Sequence, residues 1–290
     1  MMMNVSGFSI IRNARKFGYP VIEAISSILP VCDELIVNVG KSDDDTLDLI
    51  RSIASDKVKI IEQEWDLSLR SGGELLARET NRALDQCKGD WCFYIQADEV
   101  LHEQYLPVVR EEMEKEIDNV HMEGFEFGYK HFYGSYDYYQ DNFRQWYIRG
   151  TRIIRRNLEI VSWGDGMDFR RRDGSALHTK RMNAEIYHYG WVRPPHTMIQ
   201  KNLALHAMYH TDEEIHQDME SIQKPYDDLG HLKRFSSSHP RMMAERIAIS
   251  RWGFDAKIND QLPDWLRYVI LFFQPLTKRL LRLMGRAEVR

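Results

Sequence analysis

Over the first hundred residues, short apolar runs alternate with amphipathic stretches. Val5–Ile11 is an apolar run of strand length, and residues 20–29 repeat their apolar positions at helical spacing. Residues 34–39 read as a second strand, 44–54 as a helix and 58–61 as a third strand. Leu76, Ala83, Leu84 and Cys87 put one apolar face on a helix over 74–87, and residues 91–95 read as a buried strand. Ser42, Asp43 and Asp44 precede Thr46, where such side chains accept from the free amides that begin a helix. Repeated strand–helix alternation predicts an α/β fold, a mostly parallel sheet with helices on both faces. No internal repeat or low-complexity tract interrupts it.

After Leu101 the rhythm changes. Residues 103–116 read as a helix, and 120–129, 151–155 and 158–161 as strands. Tyr129, Phe132, Tyr133, Tyr136, Tyr138, Tyr139, Phe143, Trp146 and Tyr147 crowd the stretch between. Such rings suit carbohydrate faces; most read as core and interface, leaving one or two for a cleft. From Thr197 the chain reads as helical, broken at Pro225, at the loop 236–240 and at Pro263. The loop is the predicted boundary between a domain at 1–235, with halves 1–101 and 102–235, and a helical extension at 236–290.

Composition narrows the classes. With 43% hydrophobic and 29% charged residues the chain can build a sizeable core and is not of the disordered type. Its net charge of −5 argues against nucleic acid as a partner. That charge is uneven: residues 265–290 hold six basic side chains against Glu288, so the tail carries +5 and the rest −10. Cys32, Cys87 and Cys92 are odd in number, lack CxxC spacing and lie in or beside apolar runs, as reduced core thiols do. No leader pattern or membrane-length apolar run is present, so the expected location is cytoplasmic.

Sheets of this kind bind ligands beyond the carboxyl ends of their strands. There the run Gly89-Asp90-Trp91-Cys92-Phe93-Tyr94-Ile95-Gln96-Ala97-Asp98-Glu99 delivers two adjacent carboxylates. Carboxylates so placed suit a hard divalent cation that bridges phosphates, though a helix cap or solvated loop uses the same residues. Four segments together resemble the donor-binding half of a family 2 glycosyltransferase with the GT-A fold. They are Ser9-Ile10-Ile11-Arg12-Asn13, Asp33-Glu34-Leu35-Ile36-Val37 leading to Ser42-Asp43-Asp44-Asp45-Thr46, Arg78-Glu79-Thr80-Asn81-Arg82-Ala83-Leu84, and the run ending Gln96-Ala97-Asp98-Glu99. The last is similar to the family's Asp-x-Asp loop, with Gln96 where its first acid stands. Val39-Gly40 offers none of the acid that follows the second strand in many members, although Asp43 to Asp45 lie close.

The resemblance implies a nucleotide-sugar donor, carrying UDP or GDP, bound through Asn13, Asp44, Arg78, Asn81, Gln96 and Asp98. It implies a divalent metal, Mn2+ or Mg2+, on Asp98 and on a late histidine, for which His188 in Tyr187-His188-Tyr189-Gly190-Trp191 is the candidate and His196 the fallback. A neutral imidazole suits manganese better than magnesium. Glu99 is then a supporting or structural group. Arg78 equally reads as a helix-surface arginine, and Lys41 and Arg70 are rival diphosphate partners; Gly72-Gly73 reads as an anion loop or a mobile one.

The resemblance further implies inversion by single displacement, with a carboxylate taking the acceptor's proton. The acidic loop Trp163-Gly164-Asp165-Gly166-Met167-Asp168 supplies the candidates, Asp165 first and Asp168 second, with Trp163 placed to stack on a sugar; a plain turn between strands reads equally well. The acceptor is then a glycan or a lipid-linked one, in cell-surface glycan or lipopolysaccharide synthesis. The apolar and basic residues from Trp265 onward read as an amphipathic helix on the inner face of an anionic membrane, or as one packing on the acidic body. A sugar nucleotidyltransferase remains open, although Arg12-Asn13-Ala14-Arg15 lacks its glycine-rich loop. So does a non-catalytic nucleotide-sugar binder, favoured by Gln96 and the missing acid.

Overall fold

All seven residues of β1 (Val5–Ile11) are buried, because strands flank it on both sides and helices cover both faces of the sheet. The computed structural model describes residues 3–140, 147–156, 159–226, 232–250 and 252–254. Phe143 and Trp146 of the aromatic stretch, Leu158 of a predicted strand, and the basic tail at 265–290 lie outside the described residues.

The first half runs β1, α1 (Val21–Ile28), β2 (Glu34–Gly40), α2 (Thr46–Arg51), β3 (Val58–Gln63), α3 (Glu74–Leu84), β4 (Trp91–Tyr94) and β5 (Glu99–Leu101). β3, β2, β1 and β4 lie side by side in that order, all parallel. The period of two along β1 divides the core. Val5 and Ile11 face Ala24, Ile25 and Ile28 of α1, while Phe8 and Ile10 face Leu75, Ala83 and Leu84 of α3. Predicted elements and observed ones coincide here to within a few residues, since each segment is long enough to show its period.

The second half runs α4 (Leu106–Lys115), β6 (Gly124–Tyr133), β7 (Ser135–Gln140), β8 (Arg149–Arg155), β9 (Ile160–Trp163), β10 (Asp168–Arg171), β11 (Thr179–Trp191), α5 (Pro195–His206), α6 (Asp212–Gln217), α7 (Met219–Gln223), β12 (Leu232–Arg234) and α8 (Ala244–Ile249). β8 joins β4 antiparallel and continues the sheet through β6, β7 and β12, while β9 and β10 form a separate hairpin. β12 falls where the chain reads as helical; three residues are too few to show a strand period, and their antiparallel pairing with β7 decides the conformation.

β11, thirteen residues long, pairs parallel with β6 and antiparallel with β5. This register sets His188 beside both Glu99 and His131. The architecture is the α/β arrangement expected of the GT-A fold, with four parallel strands on the N-terminal side and one further parallel pair, β6 with β11. Beyond residue 236 the chain still packs on the body: His239 bonds the Tyr189 hydroxyl at 2.9 Å, and Arg246 grips Glu23 of α1 through two hydrogen bonds. The three cysteines are free and buried. Among the described residues, no helix is long and apolar enough to cross a membrane.

Candidate functional site

The loop leaving β4 is held from below by a buried charge pair. Glu99 and Arg152 are both fully buried, and two parallel N–H···O bonds of 2.9 and 2.7 Å join them. The Tyr129 hydroxyl donates to Glu99 at 2.8 Å, and the backbone N–H of Gln96 donates to its other oxygen at 3.1 Å. With its oxygens so occupied, Glu99 shapes the loop, and Asp98 is the carboxylate turned toward the cavity. Burying such a pair is tolerable only because every strong group in it has a partner.

Asp98 faces a cationic surround. Burial alone would raise its pKa, but Lys201, His188 and Arg193 outweigh that and pull it down to about 2. Lys201 Nζ, from α5, lies 3.4 Å from Asp98 Oδ2 and 2.8 Å from the Gly190 carbonyl. Burial, reinforced by Arg193, brings the lysine down to about 7 against the opposing pull of Asp98. His188 Nε2 stands 3.8 Å from Asp98 Oδ1, and its Nδ1 is 2.9 Å from His131 Nδ1. Burial keeps His188 neutral far below its ordinary range. Gly190 makes this meeting sterically feasible: a Cβ there would collide with His188 Nε2 and crowd Asp98 Oδ2.

The turn between β9 and β10 arches over the same loop. Gln96 Nε2 donates to the Gly166 carbonyl at 3.3 Å, and Arg152 donates to the Met167 carbonyl at 2.7 Å. An amide at 96 can make the first bond and a carboxylate cannot, which is a physical reason for glutamine at that position. Asp165 lines the cavity and accepts from the Tyr209 hydroxyl at 3.1 Å. Gly73, with φ of +75°, lets the loop before α3 press against Asp165. Asp168 accepts from the Thr151 amide at 3.2 Å and tethers the hairpin to β8. Trp163 is exposed and lies under Arg170.

The cavity measures about 410 Å³; Tyr19, Trp65, Asp98, Asp165, His188 and Lys201 stand on its wall, with Gln96 beside them. Of the nine predicted site residues, it gathers Gln96, Asp98, Asp165 and His188. Asn13, in the left-handed region at φ 55°, accepts from the Asp43 amide through its side chain and donates its backbone N–H to the Ser42 hydroxyl oxygen, joining the ends of β1 and β2. Asp44 accepts from the Lys16 and Thr46 amides. Arg78 is half exposed beside Asp66 and Glu79, and Asn81 accepts from the Ser162 amide. Lys41 pairs with Glu64, and Arg70 with Asp212. Gly40 lacks an acid because the Trp65 ring lies across it, 2.7 Å from where a Cβ would stand. Of the aromatic stretch, Tyr147 reaches the cavity while Tyr129, Phe132, Tyr133, Tyr136 and Tyr138 are buried.

Lys201, Arg152 and Trp65 escaped the sequence reading. Lys201 carried a signal: with Met198 and Asn202 it falls on the buried stripe of α5, an abnormal place for a lysine. Arg152 likewise interrupts an apolar strand at a buried position. Trp65, in an irregular loop, had no periodic signature.

A family model described as glycosyl transferase family 2 matches residues 11–174. No curated protein matches the chain. Similar solved structures include S. aureus TarS, 16% identical with a TM-score of 0.39, covering 76% of this chain and 43% of that one. A second is S. aureus TarS 1–349 in complex with UDP, 17% identical, TM-score 0.40, covering 77% and 70%. A third is glucosyl-3-phosphoglycerate synthase from Mycobacterium tuberculosis with Mn2+, UDP-glucose and phosphoglyceric acid, 24% identical, TM-score 0.31, covering 44% of each chain. The chain thus spans less than half the length of the first TarS structure.

Proposed function

The chain belongs to glycosyl transferase family 2, and we propose that it moves a sugar from a nucleotide-activated donor onto an acceptor hydroxyl within the cavity between Asp98 and Asp165. The observation that carries this reading is the convergence of both carboxylates on one cavity, each on a loop fixed by hydrogen bonds. The family makes the donor a nucleotide sugar, with UDP or GDP as the carrier. Residues 1–235 are assigned to the reaction and 236–290 to an appended helical extension.

The acceptor's oxygen attacks the anomeric carbon as its proton passes to the Asp165 carboxylate. The bond from that carbon to the diphosphate oxygen breaks, and the configuration inverts. Tyr209 orients the carboxylate by donating to Oδ2, leaving Oδ1 for the incoming proton. Asp168, already committed to the Thr151 amide, is the weaker candidate. Lys201 and Arg193 place positive charge near the departing diphosphate.

Among the described residues, no group of three or more His, Cys, Asp or Glu side chains is arranged to hold a metal ion. The cradle above Gly190 nevertheless fits a divalent cation as a two-donor site, with Asp98 Oδ1 and the neutral His188 Nε2 as its ligands. There it would supply Lewis-acid neutralisation of the leaving group, its remaining positions suiting phosphate oxygen and water. Manganese accords with the imidazole. The apolar and basic residues from Trp265 onward support a glycan or lipid-linked acceptor, with the tail lying on the cytoplasmic face of a membrane.

The test is a panel of nucleotide sugars with Mn2+ or EDTA, read as release of nucleoside diphosphate. Transfer is expected with one donor, lost in Asp98→Ala and reduced about 10²–10⁴-fold in Asp165→Asn, the range for a general base. Asp168→Asn is expected to stay near wild type. Binding without turnover would make the chain a non-catalytic nucleotide-sugar binder. Release of pyrophosphate from a sugar phosphate and a nucleoside triphosphate would make it a nucleotidyltransferase.

A further inference from the structure

We propose that Lys201 is a built-in counter-ion of Asp98, which keeps the site's affinity for a divalent cation low until a nucleoside diphosphate is bound. This inference rests on the reading of Asp98 and His188 as donor-site residues and extends it to the order in which the site fills.

Hard divalent cations draw their affinity from several negatively charged oxygens. Of the two carboxylates on the cavity wall, Asp165, on the β9–β10 turn, is bonded to the Tyr209 hydroxyl, and Asp98 is the one beside His188. Gln96 is neutral and its amide is spent on the Gly166 carbonyl, while both oxygens of Glu99 belong to Arg152. The carboxylate of Asp98 is divided, with Oδ1 toward His188 and Oδ2 toward Lys201. The lysine is fixed in place: its ammonium donates to the Gly190 carbonyl and sits 5.2 Å over the Tyr19 ring. Arg193, equally buried, donates to the same carbonyl and lies 5.1 Å over the same ring.

Asp98, Lys201 and Arg193 together carry a formal charge of +1, so a divalent cation arriving alone meets one shared carboxylate and two fixed cations. A nucleoside diphosphate reverses that balance, because its oxygens answer both the lysine and the metal. Cation and diphosphate are then coupled, each raising the affinity for the other, as linkage requires. Lys201 is a positioning residue in this scheme. It acts on the metal through Asp98, and it supplies part of the positive charge when no metal is present.

The experiment measures Mn2+ binding to the full chain by electron paramagnetic resonance. Lys201→Gln removes the charge and keeps a donor for the Gly190 carbonyl; it is expected to bind Mn2+ alone at least tenfold more tightly than wild type. The same variant should lose at least tenfold in UDP or GDP affinity in EDTA, whereas Lys201→Arg tracks wild type in both. An unchanged Mn2+ affinity in Lys201→Gln overturns the proposal. Wild type gives a result that needs no variant: Mn2+ should bind at least tenfold more tightly with UDP or GDP present, after correction for chelation in solution. Equal affinity with and without the nucleotide overturns the proposal. If neither nucleotide binds under any metal condition, the donor-site reading falls with it. If one binds while Mn2+ affinity ignores both Lys201 and nucleotide, the inference about Lys201 alone falls.

Discussion

The wholly parallel side of the sheet, β3 to β4, and the mixed side that holds β8, β6, β11 and β5 bury different chemistry. On the first, the strands carry aliphatic and aromatic residues, and their buried polar members are short: Ser6, Ser9 and Asn38. On the second, Arg152 and His131 lie fully inside and His188 nearly so, with Asp98 and Lys201 packed beside them. Apolar burial stabilises without regard to direction, so the parallel side needs only the right residues at the right period. Buried charges stabilise nothing unless their partners are placed to within a hydrogen bond. The mixed side therefore depends on registers between strands distant in sequence, and its polar cluster is where the candidate chemistry lies.

This contrast can be broken most directly at Arg152. Replacing it with Met leaves Glu99 buried and uncompensated, and a loss of about 3–5 kcal/mol is expected from denaturant unfolding. The corresponding change on the parallel side, Lys59→Met, opens a half-exposed pair with Glu34 and should cost at most about 1 kcal/mol. Equal losses would mean that the two sides are held in the same way.

Shape, rather than charge, should govern the rim of the parallel side. Gly40→Val pushes a branched side chain into the Trp65 ring and should cost about 1–3 kcal/mol of stability, read as a lowered denaturant midpoint. A neutral outcome would show that Trp65 swings aside freely and does not define that wall of the cavity.

The smallest effect concerns pH. Burial holds His239 down to about 4, opposed by its hydrogen bond to the Tyr136 carbonyl and by Asp137, with His102 acting in the same direction as burial. Its ring meets the Tyr189 hydroxyl and the Tyr136 carbonyl. A lowered folded-state pKa means that the unfolded chain binds the proton first, so its stabilising contribution is present above the unfolded value of 6.5 and declines as pH falls toward 4. Between about pH 7.5 and 5.5 this histidine should account for about 1 kcal/mol of lost stability. His239→Gln should flatten the decline in melting temperature by that amount. An unchanged slope would place the titrating groups elsewhere.

Legibility in the sequence follows the same division. β1 to β4 and their helices are evident from periodicity, and Asp98 from its place at the end of an apolar strand. His188 was identifiable as a candidate from its place at the end of a strand-like run, and Asp165 from the loop that carries it. Their shared cavity was not, because it exists only when β11 pairs with β5 and β6 and the β9–β10 turn folds back over Gln96. Asn13, Asp44 and Asn81 carry residue types suited to ligands, and in the fold their side chains bond to neighbouring backbone. Residue type alone does not separate these two uses.

The sequence by itself determined the α/β class, the order of the elements from β1 to β4, the buried thiols and the carboxylate at the end of β4. Each is a local consequence of side-chain period and chemistry. The tertiary structure alone decided which charges meet: Glu99 with Arg152, Asp98 with Lys201 and His188, and Gln96 with the turn that holds Asp165. Those meetings join positions about fifty to a hundred residues apart through strand register and a glycine at 190. Electrostatic and hydrogen-bond energies change steeply over a few ångströms, a separation that distance along the chain does not encode.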